Sequence, residues 1–302
     1  MKFDFSKEPG KELVKPVITE KNKKVAKLSV ITPFYNSGTY FEQTYRCLIN
    51  QTMEDYEWII VNDGSTREED VQKLEQLALT DVRIRVFHQK NTGQSVAKNY
   101  GIREAKTDVI VFIDADDLVE PFYLEILYEA LLKHPKAAWS YTDLVGFAGQ
   151  EYVWCKRFSA GRMTFNNILV NAAAFRKSAI DAVGAFTEAA KYYDEDWALY
   201  LKLLSAGMHP VHVPVIGFWY RKSETGMQQT VRRNKELREE SDRYIQELAK
   251  GVDIRIEEEV YKGSFPEGAV KSEYGKPDEI LAKIMSHKIG LEILKGVYSW
   301  KK

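Results

Sequence analysis

The chain is short of cysteine and has no surplus of positive charge. Its 302 residues include two cysteines, Cys47 and Cys155, which are far apart and outside any zinc-ligand spacing. This excludes a disulfide framework and fits a reducing compartment. Lys and Arg together number 43 against 44 for Asp and Glu, a formal net charge of −1. Because a dedicated nucleic-acid-binding protein usually carries a basic excess, we expect no nucleic-acid partner.

The sequence also lacks a long hydrophobic segment. No run reaches the roughly 18 apolar residues that a membrane-spanning helix needs. Residues 1–26 are rich in Lys and Glu and have no continuous apolar stretch, unlike a signal peptide. We therefore expect a cytoplasmic protein. A hydrophobic content of 44% and a charged content of 29% are ordinary for a globular chain that is long enough for one large domain with an appendage.

Apolar strand candidates alternate with segments of helical spacing in the first half of the chain. This alternation predicts βαβ units and an α/β fold with a mostly parallel central sheet flanked by helices. The strand candidates are LSVIT (28–32), YEWIIV (56–61), IRVFH (84–88), VIVFI (109–113) and AAWSY (137–141). The helical segments are 40–50, 68–79, 95–105 and 121–134.

A polar cluster follows each of the first four strands: TPFYN, NDGST, NTGQS and DADD. Ligands of parallel sheets bind beyond the carboxyl ends of the strands, so the four loops predict one site. In DADD, Asp114 and Asp116 project to the same side of an extended segment and repel each other unless a cation lies between them. Their oxygens suit Mg²⁺ or Mn²⁺. The alternative, an acidic cluster at a helix N-terminus, explains Asp117 better than these two.

Two further loops carry candidate binding residues. Asp63 in NDGST is placed to accept a hydrogen bond from a ligand N–H, such as the imide of uracil or thymine, or else it caps a turn or a helix. Gly93 in NTGQS precedes a helix, whose N-terminus favours anions, and Lys98 one turn later adds positive charge. The plain alternative for Gly93 is a turn.

The second half of the chain has a looser pattern with one more acidic group. Asp194, Glu195 and Asp196 precede a predicted helix, and capping explains one acid more easily than three. One of them is a candidate general base for a hydroxyl nucleophile. We predict strands at 171–176 and 211–220 and helices at 177–183, 196–206, 231–248 and, on apolar spacing, in the tail from 278.

The domain boundaries follow from these patterns. Residues 1–26 form an N-terminal leader, either solvated or a helix lying on the domain. Residues 27–230 are expected to form the main domain, with the candidate nucleotide-binding residues in its first half (27–117) and the candidate base for an acceptor hydroxyl in its second half (118–230). Residues 231–302 form a helical C-terminal extension.

The loop motifs, taken in order, resemble a known family. SVITPFYN, IIVNDGST, NTGQSVAKNYGI, VIVFIDADD and YDEDWALYLKLLSAG closely resemble the family 2 glycosyltransferases of the GT-A fold, over roughly residues 28–221. The resemblance implies inverting transfer of a sugar from a nucleotide diphosphate, with UDP or dTDP favoured, to a hydroxyl of a glycan or lipid-linked acceptor. It also implies a place in polysaccharide or cell-surface glycan biosynthesis.

The resemblance also implies a role for each matching residue. Pro33 and Tyr35 would line the base and ribose pocket, and Asp63 would bind the pyrimidine imide. Lys98 would lie near the diphosphate. Asp114 would reach the ribose or the sugar, and Asp116 would bind Mn²⁺ or Mg²⁺. Asp196 would be the catalytic base, with Glu195 beside it contacting acceptor or donor.

The sequence departs from the family at one point. Many members carry a histidine after the last strand that helps to hold the metal or diphosphate, whereas this chain reads FWYRKSETGM. Arg221 or Lys222 is expected to contact the diphosphate instead, or residues 224–227 to form a lid. His212 is interpreted as a strand residue. The QxxRW motif of processive synthases is absent, which argues against processive synthesis.

Alternative functions stay open on the sequence. A degenerate protein that binds nucleotide or glycan without turnover would explain the missing histidine. A nucleotidyltransferase would usually open with a glycine-rich loop after the first strand, which TPFYNSG is not. Residues 276–302 combine lysines with apolar residues at helical spacing. They suit peripheral contact with the inner face of a membrane, or packing on the domain or in a homodimer.

Overall fold

A mixed α/β architecture is seen in the computed structural model, which describes residues 2–188, 194–222, 234–287 and 290–292. One sheet runs through these residues, with strands in the order β10-β9-β6-β8-β4-β1-β2-β3. This confirms the predicted fold class. No helix in the described part of the chain is long and apolar enough to cross a bilayer.

The first half of the sheet is parallel, as predicted. Strand β1 lies between β2 and β4, and β3 pairs with β2. All eight residues of β2 are buried, since helices cover both faces of a parallel sheet. These strands are β1 (Leu28–Phe34), β2 (Tyr56–Asp63), β3 (Ile84–Gln89) and β4 (Val109–Phe112). The helices that connect them are α1 (Gly38–Ile49), α2 (Glu68–Thr80) and α3 (Gln94–Glu104).

The second half of the sheet mixes strand directions. β6 (Trp139–Ala148) pairs with β9 (Pro210–Lys222) in parallel, and the short β8 (Ala174–Arg176) joins β4 to β6 antiparallel to both. Both long strands extend beyond their predicted ends at 141 and 220, and the predicted strand at 171–176 begins only at Ala174. β6 was predicted too short because polar residues at 142 and 143 interrupt its apolar pattern.

The remaining elements cover the second half. The predicted helices up to residue 206 are confirmed to within two residues at each end. The helix predicted at 231–248 begins only at Lys235, and the helix predicted in the tail from 278 ends at Met285. Residues 231–233 and the tail beyond 292 lie outside the described residues. The short strands are β5 (Leu118–Val119), β7 (Tyr152–Trp154), β10 (Glu259–Val260) and β11 (Val270–Lys271). The helices are α4 (Tyr123–Lys133), α5 (Ala160–Met163), α6 (Lys177–Ala182), α7 (Glu195–Ser205), α8 (Lys235–Ala249) and α9 (Lys276–Met285).

The N-terminal segment, predicted as a solvated leader or a helix on the domain, forms no α-helix in residues 2–26, and most of residues 11–25 are exposed. Apart from a 3₁₀ turn at Phe5–Lys7 it is irregular, and hydrogen bonds tie it to the domain. The backbone N–H of Val14 donates to Asn50 Oδ1 at 2.9 Å, and that of Ile18 donates to Asp81 Oδ2 at 3.1 Å. The prediction missed this because the anchoring groups are backbone amides, which have no sequence pattern.

A buried polar cluster fastens the C-terminal extension to the sheet. His212 is completely buried, and its Nε2 lies 2.9 Å from Asp143 Oδ2. The same carboxylate accepts hydrogen bonds from the hydroxyls of Ser272 and Tyr274. Burial lowers the pKa of His212, but Asp143 and Glu258 outweigh burial and raise the pKa above its usual value. His212 is therefore a strand residue with a structural partner, as the sequence indicated.

Close packing of α3 on β1 brings the first turns of α3 to the sheet edge. A Cβ atom at Gly101 would lie only 2.5 Å from Ile31 Cγ2. Although Ala is a better helix former than Gly by about 1 kcal/mol, we expect Gly101→Ala to lower the free energy of unfolding by about 1–3 kcal/mol because of this collision. Urea denaturation measures the effect. In a protein that already carries Ile31→Ala, Gly101→Ala should no longer lower the free energy of unfolding, because the colliding side chain is gone. If the losses caused by the two substitutions simply add, the collision with Ile31 is not the cause.

Candidate active site

Asp63 shapes the loop between β3 and α3. Its side chain is 4% exposed, and its Oδ1 accepts hydrogen bonds from Gln89 Nε2 at 2.8 Å and the Thr92 N–H at 2.9 Å. Its Oδ2 accepts from the N–H of Gly93 at 2.9 Å, a residue whose φ of 102° favours glycine. The carboxylate has about four acceptor positions in all. The predicted contact with a nucleobase N–H therefore stays a prediction beside an observed structural role.

Lys98 joins the two acidic loops. Its side chain is completely buried, and its Nζ lies 2.9 Å from Glu195 Oε1 and 3.6 Å from Asp114 Oδ1. It also lies 5.4 Å from the centre of the Phe186 ring. Burial lowers the pKa of Lys98, but the carboxylates of Asp114, Glu195 and Asp196 outweigh burial and raise the pKa above its usual value. The lysine is thus a permanent cation between DADD and the start of α7.

Asp196 stands in the first turn of α7, half-buried beside this lysine. Burial and the neighbouring charge of Glu195 raise its pKa to about 8, although Lys98 opposes the shift. Its Oδ1 accepts hydrogen bonds from the N–H of Trp197 at 2.6 Å and, more weakly, from Asn167 Nδ2 at 3.4 Å. A carboxylate with a pKa near neutrality is suited to accept a proton from a hydroxyl.

The second and third aspartates of DADD are paired with Arg221. The Arg221 N–H donates to Asp117 Oδ1 at 2.8 Å, and Arg221 Nε donates to the backbone oxygen of Asp116 at 2.7 Å. Burial and the charge of Asp114 raise the pKa of Asp116 to about 6, against the influence of Arg221. Burial and Asp116 raise the pKa of Asp117 well above its usual value. Negative charge is therefore crowded at this edge of the sheet.

Other contacts of Arg221 hold its guanidinium in place. The group lies over the rings of Tyr40 and Phe147, at 4.5 and 4.4 Å from their centres, and donates from Nη2 to Gln43 Oε1 at 2.9 Å. The neighbouring Lys222 lies over the Tyr220 ring at 4.4 Å. Sequence reasoning missed the three partners of Arg221, because their contacts cross more than 70 residues of chain. Residues 224–227, the predicted lid, lie outside the described residues.

Asp114 is partly open to solvent, with 29% of its side chain exposed. Gln94 Nε2 lies 3.3 and 3.4 Å from its two oxygens, and Asn171 Nδ2 lies 3.5 Å from Oδ1. Neither amide was a candidate from the sequence, where isolated Gln and Asn residues carry no signal. Both amide nitrogens donate toward the carboxylate.

The predicted base-pocket residues lie at the same edge of the sheet. Pro33 is half-buried and pairs with Val61 of β2, so it lies near Asp63 in the sheet register. Tyr35 follows it beyond the strand end and is 46% exposed. The structure thus brings Lys98, Asp114, Glu195 and Asp196 into one connected group. Pro33 and Tyr35 lie along the edge beside Asp63, without a contact to that group among the interactions described here.

No group of three or more His, Cys, Asp or Glu residues in the described ranges has the arrangement to hold a metal ion by itself. Asp114 and Asp116 offer carboxylate oxygens from one loop. Any divalent cation at this position would need further ligands from a bound molecule.

The fold and this acidic edge define a class of protein, and comparison with known sequences shows which. The model of the family described as Glycosyl transferase family 2 matches residues 29–195, more than half of the chain. The chain therefore belongs to glycosyl transferase family 2. This confirms the resemblance seen in the sequence motifs.

Individual relatives match over shorter stretches. The uncharacterized glycosyltransferase YibD of Escherichia coli (strain K12) is 43% identical over 107 residues, which are 35% of this chain and 31% of that protein. Glycosyltransferase GlyG of Streptococcus pneumoniae serotype 4 is 38% identical over 103 residues, which are 34% of this chain and 34% of that protein. The chain thus matches about a third of the length of these relatives.

Solved structures of TarS from S. aureus share the fold. The complex with UDP superposes with a TM-score of 0.61 and 19% identity, covering 75% of this chain and 66% of that one. The complex with UDP-GlcNAc gives a TM-score of 0.58 and 18% identity, covering 68% and 61%. At this identity the likeness shows the fold alone.

The raised pKa of Asp196 predicts a change of stability with pH. Between its unfolded value of 3.8 and its folded value of about 8, the folded chain holds a proton that the unfolded chain releases, so stability falls as pH rises. Asn mimics the protonated acid. Asp196→Asn should therefore melt at a higher temperature than the wild type, by a margin that grows from pH 4.5 to pH 8.5.

Asp253→Asn is the matched control for this experiment. Asp253 is exposed, and a hydrogen bond from Arg255 lowers its pKa to about 2, below the range scanned. The difference in melting temperature between Asp253→Asn and the wild type should therefore be the same from pH 4.5 to pH 8.5. If the difference in melting temperature between Asp196→Asn and the wild type is the same at every pH in this range, the raised pKa is contradicted.

Proposed function

We propose that this chain is an inverting glycosyltransferase that moves a sugar from a nucleotide diphosphate to a hydroxyl of a glycan or lipid-linked acceptor. The observation that carries the proposal is the position of Lys98. Its buried ammonium lies 3.6 Å from Asp114 on the donor side and 2.9 Å from Glu195, the neighbour of Asp196, on the acceptor side. Donor binding and the candidate base therefore meet at one point.

The donor is a uridine or thymidine diphosphate sugar. TarS, which has the same fold, has been solved with UDP and with UDP-GlcNAc, and this supports a UDP-type donor for the present chain. Pro33, Tyr35 and Asp63 lie along the edge where the base and ribose would bind, and the imide N–H of a pyrimidine suits the carboxylate of Asp63. The loop at Gly93 and the ammonium of Lys98 place positive potential near the diphosphate.

The acidic residues of DADD fit a divalent cation, Mn²⁺ or Mg²⁺, that is shared with the diphosphate. Such ions are usually bound through one or two carboxylates together with substrate phosphates. The raised pKa of Asp116 supports this, because a nearby cation would relieve the repulsion from Asp114 that contributes to the shift. When bound, the ion would neutralise negative charge on the departing diphosphate. Asp116 would hold it, while Asp114 would reach the ribose or the sugar.

The chain's own residues can carry out the transfer in one displacement. Asp196 accepts the proton of the acceptor hydroxyl as its oxygen attacks the anomeric carbon, and the bond from that carbon to the diphosphate oxygen breaks. Attack opposite the leaving group inverts the anomeric centre. Glu195, held by Lys98, orients the acceptor or the donor. Arg221, fixed by its ring contacts, keeps positive charge beside the DADD loop as negative charge develops on the diphosphate.

The C-terminal helix supports a cytoplasmic enzyme that works at a membrane surface or as a homodimer. In α9, Ile280 and Ile284 are 57% and 39% exposed and one turn apart, with Lys276 and Lys283 on the same short helix. Asp278 and Glu279 balance these lysines within α9, but residues 276–302 together carry six lysines against three acids. A basic, amphipathic segment suits an anionic lipid surface, where a lipid-linked acceptor would be found. Co-sedimentation of the protein with anionic liposomes at low salt would support contact with a membrane surface, and its absence would favour the homodimer.

Binding of the nucleotide is the first part of the function to test. UDP, dTDP, GDP and CMP are added separately, each with Mn²⁺ and with EDTA, and the melting temperature is followed. A ligand at about 100 times its dissociation constant adds roughly 2.7 kcal/mol. We expect a Mn²⁺-dependent rise of several degrees with UDP or dTDP, and Asp116→Ala should abolish its metal dependence. If UDP in Mn²⁺ stabilises the variant and the wild type equally, Asp116 does not bind the metal ion.

Catalysis is tested separately with Asp196→Asn. Because general bases contribute about 10²–10⁴-fold to rates, release of UDP from a UDP-sugar in the presence of an acceptor should fall by at least about 100-fold. The affinity for UDP should stay within about twofold, since Asp196 is not assigned to nucleotide binding. Normal turnover by the variant would remove Asp196 from the mechanism. A wild type that binds UDP-sugars but transfers to no acceptor would favour a binding protein without turnover.

A further inference from the structure

Asn171 carries a buried oxygen that lacks a partner. The residue lies just before β8 and is 9% exposed, and its Oδ1 has no hydrogen-bond partner in the described part of the chain. Buried polar atoms are nearly always paired, because an unpaired one loses its hydration without compensation. An oxygen left in this state next to a ligand site calls for a ligand as its partner.

The amide group of Asn171 faces the neighbouring carboxylate. Asn171 Nδ2 lies 3.5 Å from Asp114 Oδ1. In the structure the NH₂ group faces this carboxylate, and the carbonyl oxygen has no partner. Gln94 Nε2 donates to the same carboxylate from the other loop. The unpaired Oδ1 therefore lies in the same planar amide as the nitrogen that meets Asp114, at the wall of the donor site.

Two asparagines in the segment before β8 contact the two acidic residues of the site, one each. Asn167 Nδ2 lies 3.4 Å from Asp196 Oδ1, on the side of the candidate base. Asn171 meets Asp114, on the side of the donor. The unpaired oxygen thus belongs to the donor side, away from the attacking hydroxyl.

We propose that Asn171 is a specificity-determining residue, whose Oδ1 accepts a hydrogen bond from a hydroxyl or amide N–H of the donor's sugar. The inference rests on the proposed function. An amide oxygen needs a hydrogen-bond donor, and diphosphate oxygens have none to offer. The nucleobase is assigned to Asp63 at another strand end, which leaves the hydroxyls of the ribose and the polar groups of the sugar. Of these we assign the sugar, and the comparison of UDP with UDP-sugars below separates it from the ribose, which both ligands carry. A site built to bind a hydroxyl disfavours a sugar that lacks it there, because the oxygen is again left unpaired.

The substitution Asn171→Leu separates this role from a structural one. Leu has a similar size and neither donor nor acceptor, so it removes the unpaired oxygen and leaves no cavity. The melting temperature of the free protein should therefore not fall. Isothermal titration is carried out with UDP, UDP-GlcNAc, UDP-glucose and UDP-galactose. We expect about a tenfold loss of affinity for the UDP-sugar that the wild type binds best, and a change within about twofold for UDP.

Matched variants make the result specific. Asn166→Leu introduces the same change at an exposed position in the same segment and should leave every affinity unchanged. Asn171→Ala tests the position again if the branched Leu side chain distorts the site. The variants at 171 should also narrow the spread of affinities among the three UDP-sugars, since they remove a contact that distinguishes them.

Each other outcome overturns the inference, and the outcomes are distinguishable. Equal losses for UDP and for UDP-sugars, or no loss for either, would remove Asn171 from sugar recognition while leaving the proposed function standing. A marked fall in the melting temperature of both variants without a selective loss would make Asn171 a structural residue. Failure of the wild type to bind UDP or any UDP-sugar would overturn the proposed function and this inference with it.

Discussion

The buried ammonium of Lys98 is the constraint on which the candidate site depends. Removing a charge from water is unfavourable unless partners compensate it, and here Glu195 at 2.9 Å and Asp114 at 3.6 Å supply them. These acids come from the DADD loop and from the start of α7, and Glu195 lies 97 residues from Lys98 in sequence. Lys98 itself is presented by α3, which approaches β1 closely because residue 101 is glycine. The electrostatic link and the packing of one helix therefore depend on each other.

The same region stores unfavourable electrostatics. Asp116, Asp117 and Asp196 all have raised pKa values, because burial and neighbouring carboxylates act in the same direction. Elsewhere in the fold a buried acid is fully compensated: Asp143 is matched by His212, Ser272 and Tyr274. The contrast is physical evidence for function, since repulsion that lowers stability persists where a ligand relieves it. This crowding of negative charge is the physical basis of the cation site and the general base proposed above.

The sequence predicted those parts of the fold that local patterns encode. The apolar run of β2, the strand that ends in DADD and the acids before α7 were all visible as patterns, and the order of motifs was enough for the family. It did not predict that β6 continues past Asp143, because the partner that makes a charge tolerable in a strand, His212, lies 69 residues away. Asn171 was not predicted as a site residue for the same reason. Its significance is an unpaired oxygen, which is a property of three-dimensional surroundings.

Arg221 shows how the site manages without the histidine seen in many members of the family. A guanidinium is always protonated, so it cannot ligate a metal ion as a neutral imidazole does. It can hold positive charge in a fixed place, and the rings of Tyr40 and Phe147 with the amide of Gln43 fix it here. Its bonds to the Asp116 carbonyl and the Asp117 carboxylate set the shape of the DADD loop. One residue thus supports the loop geometrically and balances part of its charge, and in the proposed mechanism a cation would be held by a carboxylate and the diphosphate.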